Sequence, residues 1–180
     1  PSALERLSTP QCSTMDKLAA FLSVPKSRLA KSLVYTTPEG LVMAVVRADY
    51  DVALEKLSAY LKVPVFRPAT DAELAGAGLV PGYLSPVGRE ETLRLVVDDS
   101  IARSGNLVFG ANEPDTHLGN VNFGRDFTSR EVADITLTQD ERLCLQCGGT
   151  LREIRAMEVG HIFKLGDYYT RKMDLTFQDE

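Results

Sequence analysis

Few side chains in this 180-residue sequence stand where chemistry could be done. The cysteines are Cys12, Cys144 and Cys147, and the histidines are His117 and His161. No cysteine has a histidine near it in sequence, so nothing marks a thiol nucleophile. A GxSxG elbow, a P-loop and an HExxH pair are all absent, and the glycines at 105 and 110 do not make a dinucleotide fingerprint. Cys144-Leu-Gln-Cys147-Gly-Gly has the form of one knuckle of a zinc ribbon. A structural zinc takes four ligands, and neither histidine is well placed to complete the set. The expectation is therefore no bound zinc, with Cys144 and Cys147 a turn or half a site.

Two other residues and two loops carry more. Lys31 falls where a short helical turn gives way to an apolar strand, and His117 lies in the polar turn Asp115-Thr-His-Leu-Gly119. Taken alone, a solvated lysine and a structural histidine remain open readings of both. Gly82-Tyr-Leu-Ser-Pro86 and Gly110-Ala-Asn112 are glycine-bearing connections beside apolar strands. Glycine lets backbone approach closely, so such loops can offer amide and carbonyl groups to a small ligand; ordinary turn chemistry is the alternative.

These residues need elements to hold them. Met15, Leu18, Ala19 and Leu22 recur at helical spacing behind a cap at Ser13 or Thr14, and the helix stops before Pro25. Residues 26–30 read as a short helical turn. Residues 32–46 read as a β-hairpin around Pro38-Glu-Gly40. Ala53, Leu54, Leu57, Tyr60 and Leu61 predict a second amphipathic helix, and Thr70-Asp-Ala-Glu73 is a capping box opening a short one. Alternation at Leu93, Leu95 and Val97 predicts a strand; 106–109 and 119–123 predict two more. Thr128-Ser-Arg-Glu131 reads as a second capping box starting a helix, and 150–154 and 161–165 as possible strands. Irregular alternation of helix and strand gives an α/β or α+β class with a mixed sheet. Residues 1–14 read as a connecting arm, 15–137 as the core domain and 138–180 as a CxxC-bearing return segment.

Apolar residues make up 44% and charged residues 25%, the proportions of a globular domain. No apolar run reaches the length of a membrane span, and residues 1–13 lack the apolar stretch of a secretory leader. With no initiator Met, the sequence reads as a segment of something longer, and the low, odd cysteine count fits a reducing cytoplasm. The net charge of −5 is the wrong sign for a free-standing nucleic-acid binder. If RNA is the partner, other surfaces must supply most phosphate contacts.

Read together, these stretches resemble the insertion domain of bacterial prolyl-tRNA synthetases, within the YbaK-like deacylase family. Leu29-Ala-Lys-Ser-Leu-Val34 is similar to the family's lysine segment, Val45-Val-Arg-Ala-Asp49 to its VRGD stretch and Gly82-Tyr-Leu-Ser-Pro86 to its GxxxP loop. Val97-Asp98 resembles the strand with the family aspartate, Gly110-Ala-Asn112 the GAN element, and His117 with Asn120-Val-Asn-Phe-Gly-Arg-Asp126 the HY-VNWGRD run. Glu158-Val-Gly-His-Ile-Phe-Lys-Leu-Gly166 resembles the stretch that leads back into the class II catalytic core. Phe123 replaces the usual Trp, Ser85 stands where Gly is common, and Asp167-Tyr-Tyr-Thr170 departs from TKYS.

The resemblance implies a mixed sheet or partly closed barrel flanked by short helices. It also implies a cytoplasmic deacylase acting on alanine wrongly attached to tRNA(Pro), inside a synthetase that is itself a homodimer. A proline-sized synthetic site can discriminate against a smaller amino acid by only about 1–3 kcal/mol, so a second site that excludes proline by size is needed. The resemblance gives Lys31 the essential role, orienting the tRNA 3′ end while water attacks with help from the substrate's own groups. Gly82, Ser85, Pro86, Asp98, Gly110, Ala111, Asn112 and His117 would form the pocket. No metal or cofactor is implied for editing, ATP and Mg²⁺ serving the synthetase's catalytic domain. The rival readings are a non-catalytic tRNA- or amino-acid-binding module, and a zinc-ribbon interaction domain.

Overall fold

The computed structural model describes residues 2–137, 147–162 and 164–176. Two compact units divide the chain, residues 1–138 and 139–180.

The first unit is a mixed α/β fold of two sheets and few short helices. In chain order it runs β1 (Glu5–Ser8), α1 (Met15–Leu22), a 3₁₀ turn (Lys26–Arg28), β2 (Ala30–Thr37), β3 (Gly40–Arg47), α2 (Leu54–Leu61), β4 (Arg67–Pro68) and α3 (Asp71–Gly76). There follow β5 (Arg94–Asp98), α4 (Asp99–Ala102), β6 (Leu107–Gly110), β7 (Thr116–Val121) and β8 (Glu131–Ala133). The larger sheet has the order β4-β2-β3-β5-β8 and the smaller β1-β7-β6. A single parallel bridge, Leu29 to Val108, joins them where β2 begins alongside β6, so the sheets meet without closing.

The expected hairpin is β2–β3, antiparallel from Ala30↔Arg47 to Thr37↔Gly40. The Thr37 hydroxyl donates to the Gly40 carbonyl and accepts from the Glu39 amide, while Gly40 takes φ of 122°, a backbone geometry suited to glycine. Strand β3 is buried from Val42 to Val46 because both its faces are covered. Its alternate residues sort into two cores: Met43 and Val45 pack with Leu95, Val97, Phe109 and Phe127, whereas Val42, Ala44 and Val46 pack with Leu57, Val96 and Ile135. Parallel pairing of β3 with β5 needs a crossover, which α2, β4 and α3 provide. Helix α3 carries the capping box at Thr70 and Glu73.

Helix α1 follows its pattern. Thr14 caps the Lys17 amide, Leu18 is fully buried, and Ser23 ends the helix in the left-handed region before Pro25. Leu18 joins Cys12, Leu29, Ala48 and Val108 in a third cluster.

Three expectations differ from the structure. Residues 1–14, read as an arm, supply β1, which pairs with β7. The stretch at 128–131 starts no helix but leads into β8, parallel to β5. Its polar side chains serve the sheet: the Ser129 hydroxyl donates to the Leu95 carbonyl at 2.6 Å and accepts from the Glu131 amide, and Glu131 pairs with Arg94. In the second unit Thr150 makes an isolated bridge, 151–154 and the described part of 161–165 carry no strand, and the named element among the described residues is α5 (Tyr168–Lys172). Ile154, Met157, Val159 and Ile162 are exposed, so no apolar surface orders that stretch as a sheet.

Candidate functional site

The bridge between Leu29 and Val108 runs the start of β2 alongside the end of β6. Two residues further along each strand stand Lys31 and Gly110, and both line one cavity of about 280 Å³. Ser13 and Met15 from the start of α1, Ser32 and Leu33 of β2, Gly82 and Leu84 of the long loop, and His117 of β7 complete most of its wall.

The two glycine loops are locked together. The Asn112 side chain accepts from the Ser85 amide and donates to the Ser85 carbonyl, each at 3.0 Å, and the Asn112 amide donates to the Tyr83 carbonyl at 2.8 Å. Asn112 pays for this with a left-handed φ of 52°, which asparagine tolerates. Gly110 presses on the other loop so closely that a Cβ there would sit 2.2 Å from the Tyr83 carbonyl oxygen. Any larger residue must push the loops apart. Gly82, at φ 82°, faces Ser13 at a distance that leaves a Cβ little room.

His117 is 1% exposed. Its Nδ1 shares a 2.6 Å hydrogen bond with the Thr9 hydroxyl, and its ring meets Tyr83 edge to face. The Tyr83 hydroxyl donates to Asp115, which also accepts from the Gln11 amide, so the residues after β1 brace this corner. Burial pushes the His117 pKa down to about 4, leaving the ring neutral near pH 7. A neutral imidazole keeps one donor and one acceptor. With Nδ1 on Thr9, Nε2 is buried and without a partner, and so is the Ser32 hydroxyl on the same cavity. Both residues line the cavity, but these two atoms are themselves buried, so a ligand would reach them only through a shift of the wall.

The Lys31 ammonium donates to Asp51 Oδ1 at 2.6 Å. The lysine side chain is 20% exposed and Asp51 73%, so the pair is open to solvent, while Lys31 as a residue also lines the cavity. Hydrogen bonding and charge from Lys31 hold the Asp51 carboxyl below its ordinary pKa.

Of the residues expected at a site, the structure gathers Lys31, Gly82, Gly110 and His117 on one cavity. Ser85, Pro86, Ala111 and Asn112 stand behind its wall as the clasp between the loops and the packing beneath it. Asp98 does not join them. It is fully buried at the end of β5, one oxygen accepting from the Ser100 amide and the other from the Ile135 amide. Both are backbone partners in the core, which makes Asp98 a structural cap in place of a pocket residue. Cys147 is exposed, and Cys144 lies outside the described residues. Among the described residues no three His, Cys, Asp or Glu side chains converge as a metal site would need. Sequence reading missed Thr9, Ser13, Met15, Ser32, Leu33, Leu84 and Asp51. Alternation along β2 could have flagged Ser32; the others meet the cavity only through tertiary packing.

Comparison with known proteins settles the family. Residues 9–127 match the profile of the aminoacyl-tRNA editing domain. The chain belongs to that family. It is 42% identical over 179 residues to a proline--tRNA ligase of Dehalococcoides mccartyi, covering 99% of this chain and 31% of that protein. A proline--tRNA ligase of Thermotoga maritima is 38% identical over 178 residues, covering 98% of this chain and 30% of its own. The chain thus spans about a third of the length of these relatives. A solved structure of a protein described as a candidate trans-editing enzyme for prolyl tRNA synthetase shares the fold, with a TM-score of 0.65 and 21% identity over 75% of this chain and 87% of that one. The editing-domain match runs from Thr9, just after β1, through Phe127 and so contains every residue of the cavity wall named above. No helix among the described residues is long and apolar enough to cross a membrane.

Proposed function

We propose that this editing domain hydrolyses alanine from mischarged tRNA(Pro), as the proofreading part of a prolyl-tRNA synthetase. The observation that carries the reading is the single cavity that unites Lys31, the two interlocked glycine loops and His117.

The substrate is an aminoacyl ester on the terminal ribose. Water adds to the ester carbonyl carbon, the bond from that carbon to the ribose oxygen breaks, and the ribose hydroxyl leaves with a proton while alanine is released. An ester this activated needs no covalent nucleophile; it needs positioning and hydrogen bonds to the developing oxyanion. Lys31 at the rim suits the tRNA end: its ammonium donates to an exposed carboxylate that a phosphate or ribose can replace. Inside, His117 and Ser32 shape the wall, and a small shift of it would bring the neutral ring and the hydroxyl to the amino acid's polar groups. Backbone groups near Gly82 and Gly110 can approach the ligand because neither residue carries a Cβ. The water would take its proton relay from the substrate's own hydroxyl or amine, with no metal.

A volume of about 280 Å³ exceeds an alanyl side chain, so rejection of the proline ring rests on a narrower recess. Met15, Leu33 and Leu84 are the apolar walls that can form it. The test is deacylation by the intact protein of matched alanyl, seryl, cysteinyl and prolyl esters of tRNA(Pro). Alanyl ester should be lost fastest and prolyl ester barely at all. Loss of prolyl ester at the alanyl rate overturns the reading, and loss of neither favours a non-catalytic binding module.

A further inference from the structure

The cavity rim carries a second cation. Lys26, the first residue of the 3₁₀ turn, pairs its ammonium with Asp16 Oδ1 at 2.7 Å, and Asp16 sits in the first turn of α1 next to the cavity residue Met15. The turn leads directly into β2 and Lys31. Its geometry is fixed by Pro25 before it and by the amides of Arg28 and Leu29, which donate to the Pro25 and Lys26 carbonyls. Asp51, bonded to Lys31, also lies within the field of Lys26, which helps keep its carboxyl ionised. Two neighbouring ion pairs, Lys26–Asp16 and Lys31–Asp51, therefore stand beside the cavity residues Met15 and Lys31.

We infer that Lys26 is a second phosphate contact for the single-stranded 3′ end of the tRNA, with Asp16 and Asp51 holding the two lysines until phosphates replace them. The inference rests on the editing function proposed above. Its logic is exchange. In a chain of net charge −5, an anionic strand needs local cations to approach at all. The Asp16 side chain is 81% exposed and Asp51 73%, and ion pairs to carboxylates this open to water are weak. A phosphate can therefore displace each carboxylate at little cost. Before RNA arrives, the carboxylates keep both ammonium groups extended along the rim. Lysine suits such a site because its compact charge binds phosphate without demanding a fixed approach.

The experiment is equilibrium binding of an uncharged acceptor-stem RNA ending in CCA to the intact protein across a range of salt, with the same RNA lacking its last three nucleotides as the control. Lys26→Ala should weaken binding of the CCA-ended RNA about three- to tenfold and reduce the salt slope by about 0.7, the loss of one single-strand phosphate contact. The truncated RNA should bind wild type and variant alike, Lys26→Arg should restore affinity, and Asp16→Asn should tighten it. Melting temperatures of Lys26→Ala and Lys26→Gln report whether folding is intact. If Lys31→Ala weakens CCA binding while folded Lys26→Ala and Lys26→Gln match wild type, the inference is wrong and the editing site stands. If neither lysine matters, both fall.

Discussion

His117 shows how one residue's surroundings set both stability and chemistry. Its folded pKa of about 4 lies below the 6.5 of an unfolded histidine. Between those values the unfolded chain binds a proton that the folded chain refuses, so stability rises with pH there. The contribution is whole above pH 6.5 and is lost as pH falls toward 4, by up to about 3 kcal/mol. Chemical denaturation measured from pH 7 down to 4 should show that loss, and His117→Gln should flatten this part of the profile. An unchanged slope in the variant would mean that the ring is not buried neutral. Thr9 belongs with it, because its hydroxyl holds Nδ1 in the buried ring. Resemblance pointed to Lys31 and His117, whereas Thr9 was invisible: a threonine 108 positions away announces nothing about the imidazole it will meet.

At the scale of elements, the segments with strong local signals formed as their residues predict. The hairpin β2–β3, helices α1 and α2 and the capped α3 each carry a periodicity or a cap that needs no distant partner. Strand β8 has no such signal. Its Thr-Ser-Arg-Glu pattern satisfies a helix start as well as it satisfies a strand, and the sheet edge of β5 decides between them. Asp98 was misjudged for the same reason. Its type and strand-end position suit a site, yet the Ser100 and Ile135 amides claim both oxygens. Asp98→Ala would orphan two backbone donors in the core at a cost of about 2–4 kcal/mol. Urea denaturation should show that loss, and at low temperature the folded variant should keep deacylation within a few-fold of wild type. A folded Asp98→Ala as inactive as a Lys31 variant would return Asp98 to the pocket.

For the molecule as a whole, composition gave the class and the order of motifs gave the family. The cavity arose only from packing: β2 of the larger sheet, β6 and β7 of the smaller, the start of α1 and the glycine loops converge near the Leu29–Val108 bridge. Lys31 and Gly110 lie 79 positions apart by their residue numbers, and no local pattern encodes their meeting. The second unit was legible to a lesser degree, since the described residues of its strand-like runs form no named strand and Cys144 lies outside the described residues. The account stands on Lys31 acting at that meeting point. The most direct measurement is single-turnover hydrolysis of alanyl-tRNA(Pro) by the intact protein against its Lys31→Ala variant, with melting temperatures recorded for both. Lys31 makes one exposed ion pair, so the variant should melt within about 1 kcal/mol of wild-type stability while hydrolysis falls at least about a hundredfold. A folded variant that clears alanyl ester at the wild-type rate would contradict the account.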